Sequence, residues 1–75
     1  MSKIEANGDE TAAIARVAEA AREVQAASMA LEAHFREHAG ESPTLLLARL
    51  AAGMAELQEA RESFDALLAR RTSSN

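Results

Sequence analysis

The chain has 75 residues, a net charge of −4 at pH 7 and no cysteine. Those values allow one small domain, exclude a disulfide framework or a thiolate metal site, and argue against a dedicated nucleic-acid binder, which presents a basic face. Hydrophobic residues make up 48% of the sequence, but much of that is alanine and the only aromatic residues are Phe35 and Phe64, and no run reaches the roughly 18 apolar residues of a membrane span.

Residues 1–8 are weakly specified. Ser2-Lys3-Ile4-Glu5 has the spacing of a capping box, but Asn7-Gly8 interrupts it at once, so a flexible N-terminal tail is expected. The start also lacks the basic-then-apolar layout of a signal peptide, and a cytoplasmic location is expected. A first helix is predicted over residues 9–38. Asp9 or Thr11 caps it, and Asp9 and Glu10 suit the positive end of its dipole. Its apolar line is Ile14, Val17, Ala21, Val24, Ser28, Leu31, Phe35 and His38. The steps alternate three and four, the spacing of a heptad seam. Glu32 and Arg36 have i,i+4 spacing for a favourable pair.

Gly40-Glu41-Ser42-Pro43 separates this run from the next. Glycine can take the left-handed conformation that ends a helix, Ser42 can accept from the first amides of a new one, and Pro43 suits the first helical position. A turn over 39–42 follows. A second helix is predicted over 43–70, within a hairpin spanning 9–71, and a flexible tail over 72–75. Its central line is Leu50, Leu57 and Phe64. Leu46, Gly53, Ala60 and Leu67 flank that line on one side, and Leu47, Met54, Arg61 and Leu68 on the other. A stripe this wide suits a helix that touches more than one neighbour. Arg70 and Arg71 complement the negative end of its dipole.

Two helices of this length span roughly 42 Å each, and a short connection makes them antiparallel neighbours. The fold expected is therefore all-α, an antiparallel two-helix hairpin. The predicted register pairs residues whose numbers add to about 81 or 82. It brings two uncharged runs, 26–31 and 50–55, to the same height as a belt of small side chains with Met29 and Met54 inserted. Small residues let backbones approach, and methionine adapts to irregular surfaces. The predicted interaction surface comprises Ala26, Met29 and Ala30 from the first helix. From the second it takes Leu46, Leu47, Leu50, Gly53, Met54, Leu57 and Phe64. One seam buries little apolar area against the entropy of ordering two long helices, so a four-helix bundle closed by dimerisation or by a partner is expected.

Catalytic chemistry finds little footing. His34 and His38 project from one side of a helix, but a metal site needs further ligands, and no metal or other cofactor is expected. Ser28 has no histidine at its level to activate it. Glu19 with Glu23, and Glu59 with Glu62, read as solvated pairs, and no phosphate-binding glycine loop is present. Arg61 interrupts the apolar stripe, with a stem that can pack and a head that can reach Asp65 or solvent. The chain reads as a non-enzyme that associates with itself or with another helical protein, as a regulator, adaptor or assembly subunit. In size, turn position and helix length it is similar to the small hairpin co-chaperones of bacterial type III secretion. That similarity implies the alternative of covering an amphipathic helix of a partner. The outline is also similar to the RNA-binding hairpin dimers that modulate plasmid copy number. That use needs a basic face, whereas the arginines here are scattered.

Overall fold

The computed structural model describes the backbone of residues 2–73 and the side chains of residues 8–71. It is an antiparallel hairpin of two helices, α1 (Ser2–Glu37) and α2 (Thr44–Ser73), with extents of 57 × 18 × 13 Å. α1 begins upstream of Asp9, because one glycine costs a helix only about 1 kcal/mol and Asn7-Gly8 does not stop it. The tails expected at 1–8 and 72–75 lie largely outside the residues with described side chains.

The seam differs from the one expected on α1. The residues that face α2 are Ala13, Val17, Ala20, Val24, Ala27, Leu31 and His34, with Ala27 fully buried. Val17, Val24 and Leu31 were expected there. The companion column is 13, 20, 27 and 34 in place of 14, 21, 28 and 35. On α2 the seam is Pro43, Leu46, Leu50, Gly53, Leu57, Ala60, Phe64 and Leu67. Of the two flanks of the wide stripe, only the 46–53–60–67 side faces inward.

The register explains the choice. A Cβ built on Gly53 would lie 3.3 Å from Val24 Cγ2 and 3.7 Å from Val24 Cα and N. Val24 therefore stands opposite Gly53, numbers that add to 77. The same register sets Ala27 opposite Leu50, Ala20 opposite Leu57, Ala13 opposite Phe64, Val17 opposite Ala60 and Leu31 opposite Leu46. In the first five of these layers a large side chain meets a small one or none. Facing columns of complementary volume interdigitate and bring the backbones close. Ile14 and Phe35 opposite leucines and Phe64 would hold the helices apart.

The register is one helical turn away from the expected one, and the turn accounts for the shift. Its six residues, 38–43, fold back along the last turn of α1. His34 Nε2 donates to the Glu41 carbonyl at 2.9 Å, the Glu41 amide donates to the His38 carbonyl at 2.9 Å, and His38 Nδ1 lies 3.2 Å from Glu41 Oε2. Gly40 does not take the left-handed conformation expected of it, since no described residue has positive φ. Ser42 Oγ bonds to Thr44 Oγ1 at 2.5 Å, not to a backbone amide. The Pro43 carbonyl accepts the first amide bond of α2, from Leu47 at 2.9 Å, which puts Pro43 at the cap and Thr44 at the first helical position. At the open end, Arg71 Nη1 donates to Glu10 Oε2 at 2.7 Å.

Candidate interaction surface

The seam residues divide the hairpin into two flanks. In an antiparallel pair the e positions of both helices fall on one side and the g positions on the other. The e column of α1 is Ile14, Ala21, Ser28 and Phe35, and that of α2 is Leu47, Met54, Arg61 and Leu68. The b positions beyond them are Thr11, Ala18, Gln25 and Glu32 on α1, and Thr44, Ala51, Gln58 and Asp65 on α2. This flank carries three charged residues, Glu32, Arg61 and Asp65, and is otherwise uncharged; for that contrast with the other side it is named the uncharged flank. Ile14, Phe35, Leu47, Met54 and Leu68 are all exposed on it. None of the ion pairs among the described residues involves Arg61, Asp65 or Glu32, so the expected Glu32–Arg36 pair is not formed and Arg61 reaches solvent.

The opposite flank is charged. Arg16, Glu19, Glu23, Glu56 and Glu59 line an open trough whose floor is Ala20 and Ala60. Four carboxylates and one guanidinium face water there, with no nucleophile or histidine beside them. Among the described residues no group of three or more histidine or acidic side chains could hold a metal ion. His34 and His38 have ring centroids 5.8 Å apart, and each is engaged with Glu41.

The predicted surface residues separate into three sets. Leu46, Leu50, Leu57 and Phe64 are half-buried in the seam, with Gly53 fully inside it. Leu47 and Met54 stand exposed on the uncharged flank. Met29, 62% exposed, and Ala26 face outward elsewhere on α1, and Ala30 is half-buried on the charged side. With the register at 77, the runs 26–31 and 50–55 are offset by about one turn, so they do not form a level belt. Ile14, Phe35 and Leu68 belong to the uncharged flank and were missing from the predicted set. Their signal is present in the sequence, since each lies seven residues from another member of its column, but the expected heptad line places Ile14 and Phe35 in the seam.

Among the described residues, no helix is long and apolar enough to cross a membrane. No protein-family model, curated protein or solved structure matches the chain.

Proposed function

We propose that this is a non-catalytic helical-hairpin protein that works by protein–protein association, as a regulator, adaptor or assembly subunit. Its working surface is the flank of Ile14, Phe35, Leu47, Met54 and Leu68, and other helices laid on that flank complete a four-helix bundle. One observation carries this reading: among the described residues nothing larger than alanine is buried in the core, while five of the seven exposed large apolar side chains stand on one side. A helix pair with so thin a core gains its stability by packing its exposed apolar side. The quantities agree. The surface is 5771 Å², on the order of 1,300 Å² more than a compact monomer of this mass exposes. The radius of gyration is 17.2 Å, against about 11 Å for a globule of this length.

The test is the double variant Phe35→Glu with Leu68→Glu beside Glu59→Lys on the charged flank. Complexes are sized by sedimentation for the purified protein and for extracts of cells that express it. Complexes lost with the first variant and kept with the second support the reading. A chain that sediments as a monomer in both settings overturns it. A complex found in extract alone, and lost with the flank, would favour the partner-covering role of a small chaperone.

A further inference from the structure

We infer that the occupant of the uncharged flank is a second copy of this chain, laid face to face. The inference rests on the reading above and adds the partner. Area is the first argument. A standard interface buries about 800 Å² on each partner, and the flank columns over residues 11–35 and 44–68, two helices side by side along about 36 Å, offer an area of that order to an equal hairpin. A single partner helix would cover only part of it.

Charge is the second argument. A chain of net charge −4 repels its own copies wherever its acidic groups would meet. Here Glu19, Glu23, Glu56 and Glu59 crowd the opposite flank, so face-to-face copies keep them on the outside. Three charges remain on this flank, Glu32 toward the turn and Arg61 with Asp65 toward the open end, and neither Arg61 nor Glu32 is engaged in an ion pair within its own chain.

Sedimentation equilibrium of the purified protein is the first test, with melting followed at several concentrations. A mass of twice the chain's 8.0 kDa, with a Tm that rises with concentration, is expected. A monomeric mass with a concentration-independent Tm overturns the second copy as occupant. The wider association reading then stands or falls separately on the complexes in cell extract. The face is tested by placing a charge on it. Phe35→Glu, helical by circular dichroism, should weaken the dimer by at least about tenfold, and a dimer of unchanged mass and affinity would overturn this flank as its interface.

Discussion

The two flanks are built on the same seam and differ in the columns that border it on either side. Ile14, Phe35, Leu47, Met54 and Leu68 mark one side, and Arg16, Glu19, Glu23, Glu56 and Glu59 the other. Secondary structure, helix length and backbone are common to both. What separates them is which side of a buried alanine column the next residue takes. A single step from Ala13 to Ile14, or from Gly53 to Met54, turns from core to exposed flank. A surface of this kind is set by the rotation of each helix about its axis, and that rotation is fixed by volume matching in the seam.

The substitution expected to have the largest effect goes to the uncharged flank. Met54→Lys should cost the associated state about 3 kcal/mol, because it desolvates an unpaired ammonium. Loss of dimer mass and a lower midpoint of urea unfolding are the readouts, and an unchanged pair of values would erase the distinction between the flanks. Next comes the seam that creates both flanks. Gly53→Leu should destabilise by about 2 kcal/mol, since overpacking outweighs the gain in helix propensity. Chemical unfolding measures this, and a change below about 0.5 kcal/mol would show that Val24 and Gly53 are not held in contact.

Gly40→Ala should go the other way and stabilise by about 0.4–1 kcal/mol. Gly40 has no positive φ, and an added Cβ there meets nothing within 4 Å. A loss of stability would mean that the turn needs a left-handed residue after all. The smallest effects belong to positions off the uncharged flank. Met29→Lys and Glu59→Lys should each stay within about 0.5 kcal/mol and leave the mass unchanged. A Met29→Lys chain that fell apart would move the interface from the flank of Met54 to the outer side of α1.

The hairpin was legible in the sequence because proline, glycine and two long helix-periodic runs are local signals. The seam on α2 was half legible: Leu50, Leu57 and Phe64 were recognised as its centre, but both flanking columns looked equally apolar. The seam on α1 was misread for a physical reason. Hydrophobicity ranks Ile14 and Phe35 above Ala13 and His34, whereas packing against Leu50, Leu57 and Phe64 rewards the smaller column. That comparison needs both helices and their register at once, and the register depends on how many residues the turn consumes. Glu41 supplied that answer through backbone and side-chain contacts to His34 and His38, which no spacing rule in the chain announces. The exposed flank was missed for the same reason, because it is what remains once the seam has been chosen.

The alternation of large and small residues has a consequence for uniqueness. It repeats every seven residues, so sliding one helix by a heptad, about 10.5 Å, still sets unequal neighbours together. Val24 would meet Ala60, Ala27 would meet Leu57, and Leu31 would meet Gly53. The interface is therefore nearly degenerate along its own axis: it selects a face strongly and a position weakly. The connector lifts that degeneracy, since six residues tied down by Glu41 cannot follow a slide of two turns. A chain cut within 38–43, or given a long flexible insert there, should keep its helices and its seam but populate several alignments. Each alignment would present a different pattern of side chains on the exposed flank.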